Sequence, residues 1–141
     1  LSADKFLRQS KEGGRIKTTT LVLSNLNFMS VISINVQEPY HSLILNGKKT
    51  VEGRLNKGKF ASIKVGDFLE LEPEKIKFKI VGKNVYSNFK EMIKKEGIKN
   101  VIPDKKNIHE AVSVYYKFYT KDQETIFGVI AVRMRKSAAS E

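Results

Sequence analysis

Cysteine is absent from all 141 residues, which excludes disulfides and thiolate zinc sites and leaves nothing that demands an oxidising compartment. Histidine occurs only as His41 and His109. They are far apart in sequence and lack the local His and carboxylate spacing of a metal site, so no metal and no cofactor is expected. Long apolar runs are missing too. No stretch approaches the ~18 residues that a membrane span requires, and the N-terminal region has no signal-peptide hydrophobic segment. These absences predict a soluble, intracellular protein, cytoplasmic or, in a eukaryote, nuclear, with no membrane partner. Acidic side chains are in deficit, with 15 Asp and Glu against 26 Lys and Arg, for a formal net charge of +11. A polyanion is the natural partner for such a chain, and nucleic acid leads because lysines that neutralise phosphates gain affinity from released counterions. The alternative is a lysine-rich surface that serves solubility or reflects an AT-rich coding genome.

What is present suffices for one domain with one core, since 40% of the residues are apolar and aromatics are spread through the chain. Residues 1–28 differ from the rest: they open on Leu1 and contain Gly13-Gly14 and a Thr18-Thr19-Thr20 run, after which Met29-Ser30 leads into a strand-like stretch. The expected organisation is an N-terminal extension over 1–28, weakly ordered or not native to the protein, one domain over 29–135, and a frayed tail over 136–141. A rival reading lets Thr20–Leu23 add an edge strand.

Hydrophobic periodicity predicts strands over Val31–Val36, Thr50–Leu55, Phe68–Glu72, Ile76–Val81 and Ile126–Met134. Gly66-Asp67 reads as a tight turn between strands. Helices are predicted over Tyr40–Asn46, Phe89–Glu96 and Ile108–Tyr119. Asn88 with Glu91, and Asn107 with Glu110, form capping-box-like starts for the last two, and Gly97 would stop the first of them. In the fourth strand Ile76, Phe78 and Ile80 alternate with Lys75, Lys77 and Lys79. That lysine row could track a phosphate backbone, or it could protect an exposed sheet edge from aggregation. Strands enclosing short helices, without regular βαβ alternation, argue for a small α+β fold on a curved sheet.

The most informative stretch is Gly47-Lys48-Lys49-Thr50-Val51-Glu52-Gly53-Arg54, which packs cations, a hydroxyl and a carboxylate between and beyond two glycines. Gly47 is placed to end the short helix in a left-handed conformation. A strand from Thr50 would set Thr50, Glu52 and Arg54 on one face. Lys49 has the opposite parity and meets Glu52 only if it still belongs to the turn. A solvated charged edge is the plain alternative.

This octet, preceded by Val36-Gln37-Glu38-Pro39-Tyr40 and followed by Ile63–Leu69, Tyr86–Met92, Glu96-Gly97, the Tyr115/Phe118/Tyr119 helix and Phe127–Val132, resembles the ASCH domain, the activating-signal-cointegrator-homology branch of the PUA-like superfamily. The resemblance covers roughly residues 31–135, and Gly-x-Lys-Thr-x-Glu-x-Arg is its most specific element. It implies a PUA-like β-barrel with short helices over one opening, a cleft beside the barrel, and a link to RNA and modified nucleosides. It also implies a relation to a branch that hydrolyses the acetyl amide of N4-acetylcytidine with a lysine, a threonine nucleophile and a glutamate from the later helical region. By position the lysine matches Lys49, the arginine matches Arg54, and the glutamate matches Glu96.

Where that branch has its threonine this chain has Glu52, so a covalent threonine mechanism does not transfer directly. Thr50 could act instead, activated by Lys49, or Glu52 could activate water while Lys49 or Arg54 steadies the oxyanion. A reader needs less. Lys48, Lys49 and Arg54 would hold a phosphate or base edge, and Glu52 would accept a hydrogen bond from an exocyclic amine. Tyr40 would pack or stack on a base, His41 sits near the proposed cleft mouth, and Lys75, Lys77 and Lys79 would meet phosphates. Binding of RNA or a modified nucleoside is the leading expectation. Amide hydrolysis comes second, and a protein-interaction role in transcriptional coregulation third. A wholly structural Glu52–Arg54 ion pair remains open.

Overall fold

The computed structural model describes residues 29–138. Expectations for residues 1–28, including the Thr20–Leu23 strand, lie outside the described residues. Five strands, β1 (Val31–Ile34), β2 (Val51–Leu55), β3 (Phe68–Leu71), β4 (Ile76–Tyr86) and β5 (Val129–Lys136), form one sheet in the order β1-β3-β4-β5-β2. β1 runs parallel to β3 and the other pairings are antiparallel. The sheet curls into a half-barrel, giving the α+β architecture expected from the sequence. Its two edges are β1 and β2.

Among the described residues six short helices accompany it: α1 (Tyr40–Leu45), α2 (Gly58–Ser62), α3 (Phe89–Glu96), α4 (Ile98–Val101), α5 (Ile108–Tyr115) and α6 (Lys121–Phe127). Both faces of the sheet are covered, because β5 alternates between two cores. Val129 and Ala131 pack with Phe89, Met92 and Ile93 of α3 and Ala111, Val114 and Tyr115 of α5. Ile130, Val132 and Met134 pack on the other side with Ile44 of α1 and Phe60 of α2. This double burial explains why Val129–Val132 reads as an uninterrupted apolar run rather than an alternating one.

Local chemistry accounts for the elements that the sequence predicts. Asn88 caps α3 by accepting from Glu91 N at 2.8 Å, Gly97 stops it at φ +98°, and Asn107 caps α5 by accepting from Glu110 N at 2.9 Å. Three expectations are corrected. Residues Ile126 and Phe127, expected in a strand, end α6, which starts on a Thr120/Gln123 capping box, and β5 begins after Gly128. α5 ends at Tyr115 rather than Tyr119, because its last turn tightens into i→i−3 bonds from Lys117 N to Val114 O and Phe118 N to Tyr115 O. The Gly66-Asp67 turn joins α2 to β3 instead of two strands, and the Asp67 carboxylate holds it by accepting from Lys64 N at 2.9 Å and Ser30 N at 3.1 Å. Lys136 is the last residue of β5, and Ser137 N donates to Lys77 O. α2 and α4, five and four residues long, are too short to leave a periodic signal.

β4 is a central strand, flanked by β3 and β5, so its lysine row cannot be edge protection. Lys75 pairs with Glu72 at 3.2 Å, and Lys77 lies across from Glu70. Among the described residues no helix is long and apolar enough to cross a membrane.

Candidate functional site

The turn after α1 builds the site. Gly47 adopts φ +84°, which L side chains rarely take, and reverses the chain so that Lys49 N reaches Leu43 O at 2.9 Å. β2 starts only at Val51, so Lys49 still belongs to the turn and its side chain folds back over Glu52. Lys49 is 3% and Glu52 5% exposed. The Lys49 ammonium donates to Val51 O at 2.7 Å and to Val101 O, and lies 3.4 Å from Glu52 Oε1. Its three protons are thereby engaged. Glu52 Oε2 accepts from Arg54 Nε at 2.9 Å and Nη2 at 2.8 Å. Arg54 Nη2 also donates to Asn35 O at 3.0 Å, so the guanidinium ties the edge strand β2 to the chain leaving the opposite edge, β1. Its flat face lies 4.9 Å from the Phe60 ring.

The electrostatics follow from this closed triad. Burial pushes the Glu52 carboxyl up, but Lys49 and Arg54 beside it outweigh burial and hold it below its ordinary range. For Lys49 burial wins: the ammonium is pushed down, and Glu52 restores only part of the loss. Arg54 is destabilised by burial and over-compensated by Glu52, which leaves it firmly charged. The triad thus sets two cations of opposite tendency on one buried carboxylate: Arg54 is held charged, and Lys49 is pushed towards its neutral form.

Above it opens a cleft of about 210 Å³. Glu52, Arg54 and Lys49 form its polar floor, and Tyr40, Tyr115, Phe118 and Tyr119 its aromatic walls. The walls are held from behind, since Phe89 stacks on Tyr115 at 4.5 Å and on Tyr119 at 5.5 Å between ring centres. Phe118 is 51% exposed at the rim. Burial, with Asp104 nearby, raises the Tyr40 phenol, and burial raises Tyr115 and Tyr119, so all three stay protonated as donors. Gly53 lets the wall approach the floor: a Cβ there would lie 2.5 Å from Met92 Cε and 2.9 Å from Tyr115 Oη. Gly53→Ala is expected to cost about 1–3 kcal/mol through overpacking, measured by urea unfolding.

Not every anticipated residue converges here. Lys49, Glu52, Arg54 and Tyr40 do. Thr50 does not line the cleft; its backbone continues the sheet, with Thr50 N on Asn100 O and Met134 N on Thr50 O. Glu96 also lies elsewhere, accepting from Arg133 Nε at 2.8 Å, Asn84 Nδ2 at 3.2 Å and the Tyr86 hydroxyl. Lys48 is exposed and does not line the cleft. His41 points away into a carboxylate pair, 2.8 Å from Glu74 and 3.7 Å from Glu38. Lys77 and Lys79 stand on β4 and Lys75 in the turn before it, all outside the cleft. The hydroxyl, lysine and glutamate of a covalent amide hydrolysis are therefore not gathered at one point. Glu52, the carboxylate that is present, is held low rather than poised as a base near neutrality. Among the described residues no group of three His, Cys, Asp or Glu could hold a metal.

The cleft walls are the part of the site that sequence reasoning misses. Tyr115 and Tyr119 have the helical spacing of packing residues, and the tightened end of α5 that turns Phe118 to the rim has no sequence signature. Glu124 is missed as well: buried, it accepts from Phe89 N at 2.7 Å and from the Tyr116 hydroxyl at 2.6 Å, and so fixes the start of α3.

A family model described as ASCH domain matches residues 34–137. Two solved structures from Pyrococcus are similar to this chain. The crystal structure of hypothetical protein PH0355 is 45% identical, covers 76% of this chain and 99% of that one, and superposes with a TM-score of 0.73. The solution NMR structure of protein PF0455 from Pyrococcus furiosus is 38% identical, with 75% and 96% covered and a TM-score of 0.65. Among curated proteins no match was found.

Proposed function

The chain belongs to the ASCH domain family, and from that premise we propose that it binds RNA, or a modified nucleoside, by taking one base into the aromatic cleft over Glu52. The observation that carries this reading is an ionised, buried carboxylate fixed at the floor of a cleft whose walls are aromatic rings. A base offers the complement: a π-face for Phe118 and Tyr119, and an exocyclic amine for Glu52. Glu52 keeps capacity for it, because Oε1 faces only Lys49 at 3.4 Å while Oε2 takes both Arg54 contacts. Lys49 acts indirectly in this reading. Its protons are spent on two carbonyls and Glu52, so it holds the carboxylate ionised and in place rather than touching a phosphate.

Phe118→Ala tests the reading with little risk to the fold, since the ring is half exposed. Stacking on an aromatic ring contributes about 1–3 kcal/mol per base, so affinity for a single-stranded RNA oligonucleotide should fall by about 5-fold to 150-fold at unchanged Tm. Unchanged affinity, or no RNA binding by the wild-type chain at low ionic strength, would remove the reading.

A further inference from the structure

The back of the cleft's inner wall carries a second feature. α4 and the residues after it form that wall: Ile102 faces the cleft and Val101 O takes the Lys49 ammonium. Asn100 and Pro103, on either side of this pair, line a separate open groove of about 900 Å³ between the end of α3 and the start of α5. Four lysines surround it, Lys94 from α3, Lys99 from α4, and Lys105 and Lys106 from the connection to α5. Among the described residues no carboxylate lines it. Lys94, Lys99 and Lys106 are exposed and have no ion-pair partner among the described residues, whereas Lys105 is paired with Asp104 at 3.4 Å.

Two of the three lysines of the other row differ in this respect. Lys75, in the turn before β4, is neutralised by Glu72 and Lys77 faces Glu70 across the ladder, so their field is cancelled on the spot, while Lys79 lies in register with Phe68 and Arg135. Three uncompensated ammonium groups around one concave surface concentrate positive potential there, and a chain of phosphates is the ligand that relieves it. Groove and cleft are also close together. Asn100 and Ile102 are two residues apart, at most about 7 Å along the chain, so groove and cleft lie on the two sides of one short segment, α4 and its exit.

We infer that the lysine groove of Lys94, Lys99 and Lys106 is the binding surface for the sugar–phosphate backbone of the single-stranded RNA whose base enters the cleft, in place of the β4 lysine row. This rests on the base-binding reading proposed for the cleft, and the two are separable. The test compares a single-stranded RNA oligonucleotide with the same strand made abasic, titrated by fluorescence anisotropy at several salt concentrations. The triple variant Lys94→Ala/Lys99→Ala/Lys106→Ala alters only exposed side chains. It should reduce the magnitude of the log–log salt slope by about 2 for both strands, at roughly 0.7 for each phosphate that is no longer neutralised. A triple variant Lys75→Ala/Lys77→Ala/Lys79→Ala should leave the slope within about 0.7 of wild type. Phe118→Ala should weaken the natural strand and spare the abasic one. If the groove variant keeps the wild-type slope while Phe118→Ala weakens the natural strand, the groove assignment falls and the cleft reading stands. If the groove variant loses slope while Phe118→Ala changes nothing, the cleft reading falls and the groove remains a phosphate site. Wild-type chain that binds neither strand, or binds an acidic polypeptide through these lysines but no RNA, overturns both.

Discussion

Glu52→Ala is expected to destabilise the protein by about 3–5 kcal/mol, because it removes the carboxylate that compensates a buried ammonium and most of a buried guanidinium. The cost comes chiefly from what stays behind. Lys49 keeps two carbonyl partners but loses its counter-charge, and Arg54 keeps only the Asn35 carbonyl and the Phe60 ring among its principal contacts. Lys49→Met should cost less, since the ammonium leaves with its desolvation penalty and the Glu52–Arg54 pair survives. Urea unfolding of the three proteins measures the order. A Glu52→Ala loss below about 1 kcal/mol, the size of an exposed pair, would show that the triad is solvated.

The same residue gives the fold a pH dependence of known sign. The Glu52 carboxyl is held below its ordinary value of 4.5 in the folded chain, so the unfolded chain binds the proton more readily. The stabilisation is therefore fully present above about pH 4.5 and is lost as pH falls through the folded value. Glu52→Gln should flatten this acid limb relative to wild type while Glu72→Gln, on an exposed pair, should change it little.

Phe89→Ala is the second large effect, at about 3–5 kcal/mol for a fully buried ring. Phe89 stacks against Tyr115 and Tyr119 and meets the edge of Tyr116 at 6.2 Å, so the vacancy would lie directly behind the cleft wall. Its backbone N–H still reaches Glu124, which keeps the start of α3 capped. Two readouts are expected to move together. Stability drops by the amount above, and RNA affinity drops although Phe89 itself does not line the cleft, because Tyr115 and Tyr119 lose the surface that fixes them. Phe89→Leu should recover most of the stability and less of the affinity, since it restores volume without a flat ring. Affinity unchanged in Phe89→Ala protein that remains folded would mean that the wall holds without its backing.

Local patterns in the chain carry much of the fold. α3 is legible to the residue because an Asn88 cap, a Glu91 in the first turn and a Gly97 stop all lie within one helix, and such signals act over three or four residues. The motif around Gly47 is legible for the same reason: the glycine reverses the chain, and the spacing from Lys49 to Arg54 then brings three charges together. β4 runs five residues further than its alternation suggests, because the irregularity between Ile80 and Gly82 shifts the register and breaks the period of two. The end of α6 is mistaken for strand because β-branched and aromatic residues hide the Thr120 cap.

Composition alone settled that the chain has no disulfide and that it is strongly basic, and spacing marked Lys49, Glu52 and Arg54 as candidates for one unit while leaving open whether Lys49 meets Glu52. Long-range packing settled the rest. Whether Glu96 joins that unit depends on Arg133, 37 residues away, which captures it on another part of the sheet. Whether the β4 lysines guard an edge depends on which strands flank β4: β3 is its local hairpin partner, but β5, which closes its other side, comes from far along the chain. Whether Phe118 is core or cleft wall depends on where α5 tightens and on what Phe89 holds behind it. These outcomes turn on which distant groups meet and how deeply they are buried: burial makes Lys49 lose its protons more easily, while Glu52 holds its charge against burial because Lys49 and Arg54 lie beside it.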